Sequence, residues 1–366
     1  MSTDFSPPYP LSPVRKDTPS KVFEKTNPLY ASTKLQETAV RQYSKKFPQN
    51  PCQTARFAVY YTQRKNKSRK RSITMLYTIE NAKIKVTVTD MGAEMTSLIL
   101  KKTGTEYLWQ ADPEYWTGHA YNLFPICGRL WEGKYTYQGK TYEMNLHGFA
   151  RKTAYEMVEQ TDDSLTFKLT DTDVTYAQYP FHFELLLTYT LDGASVVTKF
   201  HVENKDEKEL IFAVGGHPGF NVPLAEGETF TDYTISFAEK CEPQQLCMSE
   251  TCYFLNDTKP FKVRCGKSFG LDHSLFDNDA IFLTGVAEEV TLKSGVSKHF
   301  VKVTYPGMKF VGFWHKPQTE APYVCIEPWM SVPADDGKVD DLETKRYMTH
   351  LPSGQQWEQS FTITIG

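Results

Sequence analysis

The sequence of 366 residues lacks several features that would each define a class of protein. No run of about 18 apolar residues occurs, so there is no candidate transmembrane helix. No segment near the N-terminus has the charge and apolar pattern of a signal peptide. The seven cysteines are odd in number and form no C-x-x-C pair, which argues against a zinc ribbon or a disulfide framework. We therefore expect a cytoplasmic protein with reduced thiols, no metal centre and no membrane partner.

Acidic residues are scarce at one end of the chain only. Residues 1–74 contain 15 Lys/Arg against 4 Asp/Glu, a balance of +11, whereas residues 75–366 have a balance of −14. The first segment is rich in proline and serine and shows no apolar periodicity, so it has little surface to bury against the entropy of ordering. We expect residues 1–74 to be a disordered basic extension, with an unknown partner. The acidic remainder is not expected to bind nucleic acid.

The basic run TQRKNKSRKRS within this extension can be a solvated arm, a nuclear address or a nucleic-acid tether, and the solvated arm is the simplest interpretation. Regular patterning begins at Met75. This leads to the hypothesis that Met75 is the natural start of the protein.

From residue 75 onward a helical stripe longer than two turns is also missing, and apolar residues recur with a period of two. Ile84, Val86 and Val88 alternate with polar residues, as do the apolar residues of 164–170 and 359–366. This alternation is typical of half-buried strands. The pairs Gln138-Gly139 and Asp192-Gly193 mark hairpin turns. We predict that residues 75–366 form an all-β domain, a large antiparallel sandwich of two sheets that bury each other's apolar faces.

Four short stretches interrupt this pattern in a similar way. Each places one ionisable residue in an apolar and aromatic setting with Gly or Pro within two positions; they are FPICGRLW (Arg129), NLHGFARKT (His147), VGGHPGFNVP (His217) and CIEPWM (Glu327). An ionised group in apolar surroundings costs several kcal/mol unless it is paired or meets a polar ligand. We infer that the four groups share one polar cavity. The nearby aromatic residues suit the floor of a sugar site and the core of a sandwich equally well.

Each candidate also has a purely structural explanation. A histidine beside glycines is often a turn residue satisfied by backbone groups. An arginine after a glycine can pair with a surface acid, and Glu327 precedes a proline that holds it extended, so it could simply end a strand. The two glycines before His217 favour a site, because they permit close backbone approach and leave room beside the imidazole.

The order of these stretches resembles the aldose 1-epimerase (galactose mutarotase) family, and within it the LacX-like bacterial branch, from about Met75 to the C-terminus. GAEMTSLILKKTGTEYLWQADPEYW resembles the family's opening strands. The motif matches are CGRL at the binding arginine (Arg129), LHGFAR at the first histidine (His147), HPGFN at the catalytic acid (His217), DNDAIFL at the sugar-contacting aspartate (Asp279, with Asp277 two residues away) and CIEPW at the catalytic base (Glu327). The arginine segment and the residue after the catalytic glutamate differ from those of the best-known galactose mutarotases, so the preferred sugar is left open.

The chemistry that this resemblance implies is the interconversion of the α and β anomers of a free hexose. Opening the hemiacetal ring requires a base at the C1 hydroxyl and an acid at the ring oxygen, so Glu327 and His217 suffice without a metal or redox cofactor. A carboxylate is ionised at neutral pH, and we expect acidic surroundings to hold the imidazole protonated. Arg129, His147 and Asp279 are expected to bind sugar hydroxyls.

Three alternatives are weighed against this reaction. A glycoside hydrolase normally needs two carboxylates flanking the bond, and the apolar-flanked set offers only one strong candidate. A non-catalytic sugar-binding or sugar-sensing protein would keep the aromatic residues and Arg129 without needing an acid and a base. A phosphorylated hexose would fit if the loop residues Arg151, Lys152 and Lys316 converge on the site.

Overall fold

The computed structural model describes residues 74–366, so the predictions for the basic extension before residue 74 lie outside the described residues. In chain order the first strands are β1 (Leu76–Glu80), β2 (Ile84–Thr89), β3 (Met95–Leu100), β4 (Thr105–Glu106), β5 (Ala120–Leu123), β6 (Lys134–Tyr137), β7 (Lys140–Glu143), β8 (Glu156–Gln160), β9 (Ser164–Thr170), β10 (Phe183–Asp192), β11 (Ser195–Asn204) and β12 (Leu210–Phe212).

The remaining strands are β13 (Gly215–Asn221), β14 (Tyr233–Phe237), β15 (Gln244–Met248), β16 (Phe254–Pro260), β17 (Ser268–Gly270), β18 (Ile281–Thr284), β19 (Glu289–Ser294), β20 (Phe300–Thr304), β21 (Phe310–Trp314), β22 (Tyr323–Trp329), β23 (Asp340–Asp341), β24 (Thr349–Leu351) and β25 (Gln356–Ile365). The helices of the described residues are the α-helix α1 (Asp173–Gln178) and the 3₁₀ helices Trp131–Gly133, Ala150–Lys152, Phe230–Asp232 and His273–Phe276. Within residues 74–366 no helix has the length and apolar character needed to cross a membrane.

Two large sheets dominate the domain. One has nine strands in the order β17-β14-β19-β20-β25-β11-β10-β9-β8, and the other has seven in the order β16-β15-β18-β21-β22-β13-β5. Every pairing between named strands is antiparallel except that of β6 with β23. The predicted all-β fold is therefore confirmed.

The alternating segments form strands with one buried face, as their patterns predict. Ile84, Val86 and Val88 of β2 are fully buried, and the long hairpin β10–β11 alternates buried and half-buried residues along both strands. The turn between β6 and β7 is Gln138-Gly139 with both residues at positive φ, as a two-residue hairpin turn requires. In the longer hairpin the turn lies one residue later than predicted, because Asp192 pairs with Ser195 and the turn is Gly193-Ala194.

The two large sheets pack against each other through apolar side chains. The Phe361 ring of β25 lies so close to β13 that a Cβ on Gly216 would be 2.6 Å from it, and Phe313 of β21 meets Phe269 of β17 edge-on at 5.4 Å between centroids. The seven-stranded sheet therefore has one face against the core. Its other face is free to form a site.

Candidate active site

The candidate site lies on the seven-stranded sheet, where the two central strands β13 and β22 run side by side. Successive residues of a strand point to opposite faces. On β22, Val324 and Ile326 belong to the main core, whereas Cys325 and Trp329 lie on the opposite face in smaller clusters, and Glu327 between them shares that face. Both strands are buried along nearly their whole length, so a charged side chain on this second face is enclosed by protein.

All five residues singled out in the sequence line one cavity of about 270 Å³ on this face. They are Arg129, His147, His217, Asp279 and Glu327. The cavity walls also include Trp116, Tyr121, Arg151, Trp314 and Trp329. The structure thus brings together the four stretches expected to share a cavity, although it tests none of the roles assigned to them.

The strand register places the candidate acid opposite the candidate base. Gly215 pairs with Trp329 and Gly219 with Cys325, so His217, midway between the glycines, faces Glu327. The imidazole Nε2 lies 3.3 Å from the carboxylate Oε2, and both side chains are buried. Glu327 does not end its strand. It lies inside β22, so the structural explanation through Pro328 does not hold.

The glycines around His217 allow close packing on both faces of β13. A Cβ on Gly216 would meet the Phe361 ring at 2.6 Å, and one on Gly215 would meet the Trp329 ring at 2.9 Å. Gly219 similarly makes room for Trp116, whose ring would lie 2.9 Å from an added Cβ. The room that the glycines provide is therefore filled by aromatic rings that enclose the imidazole.

Burial lowers the proton affinity of His217 and raises that of Glu327. It lowers the pKa of His217 to about 3, with the charge of Arg151 acting in the same direction. Burial also raises the pKa of Glu327 well above its usual value, with Asp279 adding to the effect. The expectation that acidic surroundings hold His217 protonated is wrong for the ligand-free site, because desolvation of the imidazolium outweighs them. Burial therefore favours carboxylic acid with neutral imidazole over carboxylate with imidazolium.

The second histidine, His147, is held in one tautomer by a backbone N–H from another segment. His147 has a φ of 64°, and its Nδ1 accepts a hydrogen bond of 3.1 Å from the Gly128 N–H. Burial lowers its pKa well below the usual value, with the nearby His217, Arg151 and Arg129 adding to the effect. A neutral imidazole that accepts at Nδ1 carries its proton at Nε2. His147 is thus a fixed hydrogen-bond donor, and its turn geometry serves that purpose.

Arg129 and Asp279 lie together at the rim. Arg129 Nη1 donates to the Thr251 carbonyl at 2.9 Å, and its Nη2 is 3.9 Å from Asp279 Oδ2. The Cys252 thiol donates to the same Oδ2 at 2.7 Å, and burial raises the thiol pKa to about 12, so it stays protonated. Asp279 lines the cavity and Asp277 does not.

Sequence reasoning did not assign Arg151 or Trp116 of the cavity wall to the site. Arg151 donates through Nε and Nη2 to the Leu146 carbonyl at 3.3 and 3.2 Å, and its guanidinium lies 5.0 Å from the centre of the Tyr121 ring. Its position four residues after His147 in the same motif was a usable signal. Trp116 stacks on His217, and no pattern in the sequence distinguishes it from other core aromatics.

One group of potential metal ligands occurs among the described residues. Donor atoms of His217, Cys325 and Glu327 all lie within 4.8 Å of one another. A thiol binds metal as the thiolate, and burial raises the pKa of Cys325 well above its usual value, with Glu327 adding to the effect. In the ligand-free cavity this thiol is therefore protonated.

The fold and the cavity together define a class of protein: a β-sandwich that encloses a buried acid and base, with hydrogen-bonding side chains around them. The sequence profile of the family described as Aldose 1-epimerase matches residues 75–341. The chain belongs to the aldose 1-epimerase family, and it is an isomerase of that type.

Its relatives place it in the LacX-like branch. The chain is 36% identical over 303 residues to the chromosomal protein LacX of Lactococcus lactis subsp. lactis, a match that covers 80% of this chain and 99% of the relative. The galactose mutarotase related enzyme of Lactobacillus acidophilus is 37% identical with a TM-score of 0.76, and the match covers 80% of this chain and 97% of that one. A galactose mutarotase-like protein of Lactobacillus casei ATCC 334 is 28% identical with a TM-score of 0.76, over 80% and 100% of the two chains. The predicted family resemblance is confirmed.

Proposed function

We propose that the protein interconverts the α and β anomers of a free hexose, with Glu327 as the base and His217 as the acid. The observation that carries this proposal is the contact of 3.3 Å between the two side chains inside the cavity. A small-molecule sugar is the proposed partner of the cavity, and the cytoplasm remains the expected location.

The reaction moves one proton onto the pair and one proton off it. Glu327 removes the proton from the C1 hydroxyl, the oxygen lone pair forms the C1 carbonyl, and the C1–O5 bond breaks. Protonated His217 gives its proton to the ring oxygen. After rotation about C1–C2 the open-chain aldehyde presents its other face, and both transfers run in reverse to close the ring.

The pair has the same total number of protons before and after ring opening. It begins as carboxylate with imidazolium and ends as carboxylic acid with neutral imidazole. Burial favours the second arrangement, since it raises the pKa of Glu327 and lowers that of His217. Hydrogen bonds from a bound sugar to the carboxylate would favour the first. The two arrangements are thereby brought close in free energy, as reversible ring opening requires.

The remaining residues bind the hydroxyl groups in this proposal. The fixed N–H of His147 and the guanidinium of Arg129 act as donors, and the Asp279 carboxylate acts as an acceptor. Cys252 and Arg129 both contact Oδ2 of Asp279 and orient its carboxylate. A sugar-bound structure is expected to place the C1 hydroxyl against Glu327 and the ring oxygen against His217.

Two alternatives remain for the substrate and the activity. Arg151 is a second arginine in the cavity wall, which favours a hexose 6-phosphate as a second candidate substrate. Lys152 and Lys316 do not line the cavity, and Lys316 Nζ instead donates to the Glu114 carbonyl at 2.6 Å. A non-catalytic sugar-binding protein would have no use for a buried acid and base in contact.

Polarimetry on freshly dissolved α-glucose, α-galactose and their 6-phosphates tests the proposal. Glu327→Gln and His217→Asn are each expected to lower the rate acceleration by about 10²- to 10⁴-fold, because each removes one proton-transfer group. The matched control is Glu209→Gln with His350→Asn, an exposed Glu–His pair outside the cavity with Nδ1 and Oε2 2.7 Å apart. The proposal fails if wild-type protein binds sugar without accelerating mutarotation, or if Glu327→Gln keeps full activity.

A further inference from the structure

The face of one tryptophan covers the imidazole of His217. The Trp116 and His217 rings are stacked with centroids 5.0 Å apart and an angle of 26° between their planes. An aromatic face attracts a cation within about 6 Å of its centre, and tryptophan does so most strongly. The contact therefore favours the imidazolium form of His217 over the neutral form.

Several contacts fix Trp116 in this position. Its carbonyl accepts a hydrogen bond of 2.7 Å from Trp109 Nε1, and its ring stacks on Tyr323 with centroids 5.8 Å apart. An added Cβ on Gly118 would lie 2.5 Å from the Trp116 ring, and one on Gly219 would lie 2.9 Å from it. A side chain held from this many directions keeps its orientation through the reaction.

The other groups around the imidazole act on its charge in different directions. The Glu327 carboxylate, 3.3 Å away, favours the imidazolium when it is ionised. Arg151 disfavours the imidazolium. The rings of His147 and Tyr121 lie at steep angles to it, 90° and 71°, and both groups are uncharged at neutral pH, since burial lowers the pKa of the first and raises that of the second.

Trp314 touches the same imidazole in a different orientation. Its ring plane is nearly perpendicular to that of His217, at an angle of 80°, with the centroids 5.7 Å apart. The two tryptophans have similar bulk and line the same cavity, but only Trp116 is stacked on His217.

We propose that Trp116 is a positioning residue that stabilises protonated His217 by a face-on cation–π contact, so that the acid can hold its proton in a buried site. This rests on the proposed function, in which His217 must carry a proton to the ring oxygen. Loss of the contact lowers the share of the pair that is carboxylate with imidazolium, which is the arrangement that starts ring opening.

The variants Trp116→Phe and Trp116→Leu test this through the pH profile of kcat/KM. Trp116→Leu is expected to lower the plateau by about three- to tenfold, as expected from the strength of a cation–π contact. It should also move the acidic limb of the profile to lower pH. The limb marks the binding of a second proton by the Glu327–His217 pair, which leaves His217 as the imidazolium. Without the contact to Trp116 the imidazolium is less stable, so the second proton binds only at lower pH. Trp116→Phe retains a weaker aromatic face and gives smaller changes of the same sign.

Trp314→Leu is the matched control, since it removes an indole from the same imidazole without removing the parallel stack. It is expected to leave the acidic limb in place, whatever it does to the plateau. A Trp116→Leu variant that loses activity with an unmoved limb would show a merely structural role. An equal movement of the limb in Trp314→Leu would also overturn the proposal.

An independent measurement separates this inference from the proposed function. The ¹⁵N chemical shifts of the His217 imidazole report its protonated fraction in the ligand-free protein at each pH. This fraction is expected to be lower in Trp116→Phe than in wild type and unchanged in Trp314→Leu, even if the wild-type protein shows no mutarotase activity. Equal fractions in wild type and Trp116→Phe would refute the cation–π contact.

Discussion

The hairpin β10–β11 and the strand pair β13–β22 belong to the same sandwich but differ in how they are built. The first alternates buried, mostly apolar residues with half-buried, mostly polar residues, so each strand has one face in the core. The second is buried on both faces, and its second face carries a histidine and a glutamate in contact. The comparison teaches that the nine-stranded sheet contributes an apolar face that stabilises the fold. The seven-stranded sheet holds ionisable groups away from water, which lowers the stability of the folded protein.

The largest expected loss of stability lies in the hairpin. Leu187 is fully buried in β10, and Leu187→Ala is expected to lower the free energy of unfolding by about 2–5 kcal/mol through a lost contact surface and a cavity. The activity of the folded fraction should not change. Leu186→Ala, next to it on the less buried face of the strand, is the control and should cost less. Denaturant unfolding measures both variants, and equal losses would contradict the one-sided burial of β10.

A glycine at the junction of the two sheets should give an intermediate effect. In Gly216→Ala the new methyl group meets the Phe361 ring at 2.6 Å, so the ring or β13 must move. Overpacking of this kind costs about 1–3 kcal/mol, and activity should fall as well because His217 is the next residue. Gly270→Ala, where an added Cβ meets nothing within 4 Å, is the matched control. Unfolding and polarimetric assays on both variants check this prediction.

The burial of Glu327 on β22 should also affect how the free energy of unfolding depends on pH. The raised pKa of Glu327 means that, as pH rises above about 4.5, the unfolded chain releases a proton that the folded protein retains. This contribution to stability is present at low pH and is lost as pH rises. Glu327→Gln removes it, so its stability relative to wild type should increase between pH 5 and pH 8. A difference in unfolding free energy that stays constant over this range would contradict the direction of the shift.

The smallest expected effect lies at the rim. Cys252→Ala removes the donor to Asp279 Oδ2, so KM is expected to rise about two- to tenfold while kcat changes little. Cys252→Ser keeps a hydroxyl donor and should restore most of the affinity. Steady-state kinetics on the two variants test this. Equal KM values for the alanine and serine variants would show that a donor at position 252 does not contribute to sugar binding.

Much of the fold was predictable because alternation is a local property of the sequence. The period of two in β2 and β9 and the glycine turn after Gln138 follow from neighbouring residues alone. The convergence of Arg129, His147, His217 and Glu327 on one cavity was inferred from the cost of burying charge. Their roles in the reaction remain predictions.

What could not be predicted depends on contacts between distant segments. The protonation of His217 was misjudged because its burial results from rings such as Trp116 and Trp314, which lie about a hundred positions away in either direction. Arg151 was noted only as a loop residue, since its approach to Tyr121 requires the folded sheet. That Asp279 and not Asp277 lines the cavity depends on the turn after the 3₁₀ helix His273–Phe276, which the sequence alone does not define.

Strand β25 lies between β11 and β20, so it alone joins the two groups of strands in the nine-stranded sheet. During synthesis on the ribosome, the earlier hairpins can form while this central place is still empty. The same strand supplies Phe361, which supports the backbone of β13 beneath His217. Recovery of enzymatic activity after dilution from denaturant should therefore not precede the insertion of β25 into the sheet.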